Sequence, residues 1–374
     1  MSPRPLSVLV AVGTRPEVIK MAPVVRALLQ SPERFAVELC AVGQQGAVLE
    51  QALDEWGLRP TVRVDLPSFD RRLGATLSAI ITAVEGHLAD RRPDLVLVQG
   101  DTTTTLGASL AAFYAQIPVG HVEAGLRTFD PAQPFPEEAH RVLTARLAAV
   151  HYAPTAQARA NLLAEGCAEA SIVVVGNTVI DALRAVDVAP HPPAPGSRRR
   201  VLVTCHRREN FGDGVRGLCE ALRRVTQARP DVEVDYVLHP HPGACEPVRE
   251  LLAGVPGVRL LDPMGHREFI GLLAGAWLVV TDSGGVQEEA AALGRPILVT
   301  RRSTERTEAV LDGTARLVGT RPDELFEAMM TLLDSPAAYE RMSHPVDVLG
   351  DGMAARRIFD DLGARFGAPP SRAT

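Results

Sequence analysis

The apolar positions change their period repeatedly along the first half of the chain. Leu6–Val12 is a nearly continuous apolar run of strand length, and from there to about Leu29 the apolar residues recur at helical spacing. The same reading predicts a strand near Phe35–Ala41, a helix over about Val48–Trp56 and a long helix over about Leu73–Arg91. Strands Leu95–Gln99 and Ile117–Val122 follow, with an apolar helix between them. A helix Ala156–Glu165, a strand Ile172–Val175 and a helix over about Thr178–Val186 complete this half. Strands that are apolar throughout, alternating with helices, mean a parallel sheet covered on both faces.

Residues 187–199, DVAPHPPAPGSRR, carry four prolines and no apolar period, which marks a linker. The alternation then restarts, with strands near Val201–Thr204, Val234–Leu238, Val258–Leu261, Leu278–Thr281 and Ile297–Val299. The expectation is an α/β protein of two doubly wound, Rossmann-like domains. Residues 1–186 form the first, 187–199 the linker and 200–352 the second, nucleotide-binding domain. A final helix over about 353–368 is free to pack back on the first domain. Such a fold places its ligand at the carboxyl ends of the strands, here in the cleft between domains.

Composition narrows the function classes. The 374 residues are 46% hydrophobic and 22% charged, with a net charge of −6 and 4% aromatics. Neither a basic surface nor base-stacking platforms argue for nucleic acid. No apolar run suits a membrane span, the first residues lack a secretory pattern, and five cysteines show no CxxC pair, so a cytoplasmic protein is expected. Of 39 basic residues Lys20 is the single lysine, which suggests a place where a compact ammonium is required.

The candidate chemistry concentrates in VQGDTTTTLGASLAAFYAQIPVGHVEAGLRTFDPAQPFPEEAHR, residues 98–141. One strand ends at Asp101, the next at Glu123, and Glu137 opens a helix that carries Arg141. Each has an ordinary role available: helix cap, strand end, helix N-terminus. Three carboxylates in one stretch, bracketed by Gly and Pro loops, favour a site. Gly13-Thr14-Arg15-Pro16 is a strand-to-helix turn suited to an anion, with Lys20 one turn on. Thr281-Asp282-Ser283-Gly284-Gly285 ends a strand and opens a helix, as a phosphate cradle does. Glu289 on that helix can reach ribose hydroxyls, and Arg306 lies in the next loop of the same sheet edge. His206 ends the first strand of the second domain, where acid–base or ligand work is favoured. Of His239 and His241, prolines bracket the second, and no Cys or carboxylate completes a metal set, so no metal is expected. Gly212-Asp213-Gly214-Val215-Arg216-Gly217 matches the dinucleotide fingerprint literally, but a polar loop separates it from the preceding strand, so NAD is not expected.

These residues fall within GTRPEVIKMAP, GDTTTTL, PVGHVEAGLRT, PFPEEAHR, GNTVIDAL, HRREN, TDSGGVQEEA and TERTEAV. Together, over nearly the whole chain, they resemble the non-hydrolysing UDP-N-acetylglucosamine 2-epimerases. The resemblance implies a glycosyltransferase-B-like fold, a homodimer, and no cofactor. It implies reversible inversion at C2 of UDP-GlcNAc to UDP-ManNAc, by anti elimination of UDP to 2-acetamidoglucal and re-addition, in cell-wall polysaccharide biosynthesis. Carried over residue by residue, it makes Asp101, Glu123, Glu137, His206 and Lys20 catalytic. Arg15, Arg141, Ser283, Gly284, Glu289 and Arg306 then bind the UDP-sugar, with Phe269 a candidate for uracil stacking. Gln44, Arg207 and His239 fall where relatives receive a second, activating UDP-GlcNAc.

Three stretches depart from the family pattern. Gln44-Gln45-Gly46-Ala47 replaces Gln-His-Arg and a polar residue, Met264 stands for a polar residue, and DVLGDG over 347–352 replaces Asn-Pro-Tyr-Gly-Asp-Gly. The first puts the effector site in question. A hydrolysing epimerase, an epimerase acting on a modified UDP-sugar, a glycosyltransferase and a nucleotide-sugar sensor are the competing readings.

Overall fold

The computed structural model describes residues 4–43, 46–66, 72–186, 188, 198–207 and 210–367. The chain divides into two compact units, one of Met1–Ala185 with Gly350–Thr374, the other of Val186–Leu349. The linker expected over 187–199 lies almost wholly outside the described residues.

In the first unit the chain runs β1 (Leu6–Val12), α1 (Arg15–Leu29), β2 (Phe35–Val42), α2 (Ala47–Glu55), β3 (Val62–Val64), α3 (Leu73–Arg91) and β4 (Leu95–Gln99). It continues through α4 (Thr103–Tyr114), β5 (Val119–Val122), α5 (Glu137–Leu147), β6 (Val150–Ala153), α6 (Ala156–Ala164), β7 (Ile172–Val174) and α7 (Thr178–Ala185). The strands form one parallel sheet in the order β3-β2-β1-β4-β5-β6-β7. Its central strands are sealed on both faces: Val8, Val10, Leu95, Val96, Leu97 and Val98 have no exposed surface. Burying one such side chain contributes about 1.5–3 kcal/mol, which explains the unbroken apolar runs of the sequence.

The second unit repeats the plan. It runs β8 (Arg199–Thr204), α8 (Asp213–Ala228), β9 (Val232–Val237), α9 (Pro242–Leu252), β10 (Val258–Leu261), α10 (His266–Ala274) and β11 (Leu278–Thr281). Then come α11 (Gly284–Ala292), β12 (Ile297–Val299), α12 (Thr307–Asp312), β13 (Ala315–Leu317), α13 (Pro322–Asp334) and α14 (Pro336–Met342). The sheet is again parallel, ordered β10-β9-β8-β11-β12-β13. Both sheets are therefore doubly wound, the architecture of glycosyltransferase-B-like proteins.

A last helix, α15 (Ala354–Arg365), rejoins the first unit. Asp181 of α7 accepts from the amides of Ala354 and Ala355 at 3.2 and 2.9 Å, capping α15, and Tyr152 of β6 donates to Asp361 at 2.9 Å. No helix among the described residues is long and apolar enough to cross a membrane.

The strand order reverses between β1 and β4 in one unit and between β8 and β11 in the other. At such a point the two following loops diverge, leaving room for a ligand beyond the carboxyl ends. The turns after β1 and β4 hold Gly13–Arg15 and Gly100–Asp101; those after β8 and β11 hold Cys205–Arg207 and Asp282–Ser283. Topology alone thus delivers the candidate residues to two sheet edges.

Some expectations need adjustment. The strand expected from Ile117 begins at Val119, because Pro118 has no amide to give the ladder. The short strands β3, β6 and β13 do not emerge from the apolar pattern; VRV, VHYA and ARL are too brief and too polar to set a period. Gly217, from the apparent dinucleotide fingerprint, lies inside α8, where a Cβ would stand 2.3 Å from the Thr320 carbonyl oxygen. That glycine lets a helix pack against a backbone.

Candidate active site

In the first unit the turn after β1 is tied to the turn after β4 by one buried carboxylate, Glu17. It accepts from the Gly13 amide at 3.0 Å and from the Thr102 hydroxyl at 2.7 Å. Burial pushes its carboxyl up to about 7, against the opposing pull of the bonds from Thr102 and Gly13. Arg15, half-buried, begins α1 directly beyond this turn.

Asp101 does not cap the helix that follows it, as one of its ordinary roles would have it. Thr102 does so, accepting from the Thr105 amide at 3.1 Å within a capping box. The Asp101 carboxylate instead meets Arg141, whose Nε and Nη2 donate to Oδ2 at 2.9 and 2.6 Å. Arg141 is fixed in turn by Glu138, which accepts from Nη1 at 2.7 Å. Glu138 also accepts from the amides of Thr128 and Phe129 at 3.0 Å, fastening the loop that leads into α5. Glu137, half-buried, occupies the first turn of α5, one helical turn before Arg141, where the helix dipole favours its charge.

Glu123 follows β5 with φ of 65°, the left-handed region. A non-glycine residue there stores about 1–3 kcal/mol, a cost typical of functional positions. Its carboxylate is buried and accepts from Lys20 Nζ at 2.6 Å, and from the side-chain amide of Gln99. The single lysine of the chain therefore neutralises a buried carboxylate; losing one partner of such a pair costs about 3–5 kcal/mol.

In the second unit Asp282 organises the edge. It is fully buried and accepts from the His206 amide at 3.0 Å, the Arg207 amide at 3.0 Å, Asn210 Nδ2 at 2.8 Å and Cys205 Sγ at 3.3 Å. Burial alone would raise its carboxyl, but the His206 charge and these donors outweigh it and hold the group below the usual range. The His206 ring lies 3.6 Å from Asp282 Oδ1 and stacks on His239 with centroids 5.9 Å apart. Burial lowers both imidazoles, His239 to about 4. Nδ1 of His239 accepts from the His241 amide and Nδ1 of His241 from the Gly243 amide, both at 3.1 Å. These two histidines thus shape the turn into α9.

Ser283 caps α11, and Gly284 and Gly285 open it. A Cβ at Gly284 would sit 2.6 Å from the Arg306 guanidinium carbon, so a side chain there would displace that group. Arg306 thereby lies over the bare backbone at the α11 N-terminus, held by Glu288 at 2.9 Å and by Glu305, itself bonded to Arg301 at 2.8 Å. Helix amides and a guanidinium at one spot can receive a diphosphate. Glu289 is bonded to His266 Nε2 at 2.7 Å, and Phe269, 9% exposed, sits one turn further along α10.

The structure thus groups Arg15, Lys20, Asp101, Glu123, Glu137 and Arg141 in the first unit. His206, Arg207, His239, Phe269, Ser283, Gly284, Glu289 and Arg306 belong to the second. Gln44 lies outside the described residues. Glu17, Gln99, Glu138, His266, Asp282, Glu288 and Glu305 were not singled out from the sequence. All but His266 sit within or beside a motif string, but only coordinates show which of two adjacent carboxylates grips an arginine.

Known proteins share this fold. The family model described as UDP-N-acetylglucosamine 2-epimerase matches residues 27–363. The UDP-N-acetylglucosamine 2-epimerase of Escherichia coli strain K12 is 44% identical over 370 residues, 96% of this chain and 98% of that protein. The crystal structure of the UDP-GlcNAc 2-epimerase of Neisseria meningitidis bound to UDP-GlcNAc is similar with a TM-score of 0.92 and 37% identity, covering 96% of this chain and 100% of that one. The S. aureus MnaA–UDP co-structure gives 0.90 and 36%, covering 96% of each chain. The fold and both edges define an enzyme of the nucleotide-sugar class. The chain belongs to the UDP-N-acetylglucosamine 2-epimerase family.

Proposed function

We propose that the protein interconverts UDP-GlcNAc and UDP-ManNAc without hydrolysis, by elimination and re-addition of UDP. The observation that carries this is the pair of carboxylates at the first unit's edge, each with its own cation: Glu123 with Lys20, Asp101 with Arg141. Two carboxylates, each beside a separate cation, can serve the two faces of one carbon. A glycosyltransferase or a nucleotide-sugar sensor has no use for such a set.

The C2 hydrogen of the sugar has no neighbouring carbonyl to acidify it. A carboxylate of the set Asp101, Glu123 and Glu137 takes that proton while the C1–O bond breaks. The electron pair of the C2–H bond becomes the C1=C2 double bond of 2-acetamidoglucal, and the pair of the C1–O bond leaves with UDP. A second group of the set returns a proton to C2 from the opposite face, and the UDP oxygen adds back to C1. Charge developing on the leaving diphosphate is met by His206, Arg306 and the amides at Ser283–Gly284. Glu289 binds ribose and Phe269 the uracil. No oxidation state changes and the diphosphate has its own cations, so neither NAD nor a metal ion is invoked.

We assign the protein to the cytoplasm, as a homodimer serving cell-wall polysaccharide synthesis. Proton NMR of the reaction mixture tests the non-hydrolytic reading. Starting from either UDP-sugar, the expected end point is a fixed mixture of the two; steady accumulation of UDP with free N-acetylmannosamine would establish a hydrolysing epimerase.

A further inference from the structure

His121 and His140 take no part in the chemistry above, yet both end on the peptide of Asp101. His121, in the middle of β5, has its Nε2 2.8 Å from the Gly100 carbonyl oxygen. His140, in α5, has its Nδ1 2.9 Å from the Asp101 carbonyl oxygen. A carbonyl only accepts, so Nε2 of His121 and Nδ1 of His140 carry the hydrogens. Burial lowers both imidazoles, that of His121 to about 3, so they serve as neutral donors that add no charge beside the carboxylate.

Two consecutive carbonyls are thus held by two rings from different elements, on a turn whose Gly100 has φ of 74°. Neither ring belongs to β4 or α4, which the turn joins. His121 stands two residues before Glu123 on β5; His140 stands three after Glu137 on α5, next to the Arg141 that grips the Asp101 carboxylate. The elements carrying the other two carboxylates therefore fix the backbone of the third.

We propose that His121 and His140 are positioning residues, a pair of neutral imidazole donors that set Asp101 in place against Glu123 and Glu137. This rests on the acid–base reading of those carboxylates. Their reach to C2 depends on spacing, and a misplacement of about 1 Å costs about 100-fold in turnover.

The test compares His140→Leu, which removes the donor at similar bulk, with His140→Asn, whose amide restores a donor at the Nδ1 position. His121→Leu and His121→Gln form the matching pair for Nε2. Circular dichroism checks folding. The Leu variants are expected to lose about 100-fold in kcat, with KM and UDP affinity within about threefold because binding groups are untouched. Asn and Gln should recover most of the loss. A folded Leu variant with wild-type kcat overturns the proposal, as does an Asn or Gln variant as slow as its Leu partner. Should a Leu variant not fold, the Asn and Gln enzymes decide alone: near-wild-type kcat supports the proposal, a 100-fold loss overturns it. Deuterium entry at C2 in the wild-type enzyme checks the underlying reading separately, so the two failures are distinct.

Discussion

Lys20 shows what one residue can reveal against a biased background. A chain that uses arginine throughout keeps one lysine, and that lysine lies 2.6 Å from a buried carboxylate. A guanidinium needs more room and a planar partner, so Lys20→Arg should lower kcat despite retained charge. Glu123→Gln and Asp101→Asn should each lower kcat by about 100-fold or more while leaving UDP affinity nearly unchanged. Steady-state kinetics with calorimetric UDP titration separate these effects; near-normal turnover in either would remove that residue from the acid–base set. Glu17 supplies a pH test. Its carboxyl ionises near 4.5 when free and near 7 when buried, so the folded protein holds the extra proton between those values. Its stabilising contribution is complete below about pH 4.5 and is lost as pH rises through 7, by about 3 kcal/mol. Thermal melts of wild type and Glu17→Gln should diverge over that interval, with the wild-type curve falling; parallel curves would contradict the assignment. The sequence made Lys20, Asp101 and Glu123 legible because strand ends and a lone lysine are visible in one dimension. Glu17 and Asp282 were not legible, because their partners lie 85 and 76 residues away in Thr102 and His206.

Elements that bury both faces or carry a long helical period can be read from the sequence, as Leu73–Arg91 and Leu95–Gln99 were. Three-residue edge strands cannot, and neither can the left-handed φ of Glu123, which is imposed by the chain turning after β5. The literal dinucleotide fingerprint in α8 marks the opposite hazard. Its Gly217 serves helix packing against Thr320, so Gly217→Ala should destabilise the second unit by about 1–3 kcal/mol through overpacking. Thermal denaturation should show that loss with UDP affinity unchanged below the transition; weakened UDP binding without destabilisation would restore a phosphate role to the loop. At α11 the opposite result is expected. Arg306→Ala should cost about 1.5–3 kcal/mol of UDP binding, the scale of a charge-assisted contact, as measured by titration calorimetry.

For the whole molecule, two parallel sheets each turn at a central strand pair, and each pair ends at a buried carboxylate, Glu17 in one unit and Asp282 in the other. The β8–β11 edge suits a diphosphate; the β1–β4 edge suits proton transfer at carbon. Gly46 and Ala47 lack side chains to bond a second UDP-GlcNAc, although Arg207 and His239 remain in the second unit. An effector shifts an equilibrium only by its differential affinity, so we expect initial rates from pure UDP-ManNAc to show little lag and little response to trace UDP-GlcNAc. A long lag abolished by the trace would contradict this. The central claim, elimination and re-addition through 2-acetamidoglucal, is tested most directly by turnover of UDP-GlcNAc in D2O, followed by proton NMR and mass spectrometry. The account predicts that the UDP-ManNAc formed carries deuterium at C2, because the returning proton comes from a group in exchange with solvent. Epimerisation with full retention of the original C2 hydrogen would contradict it.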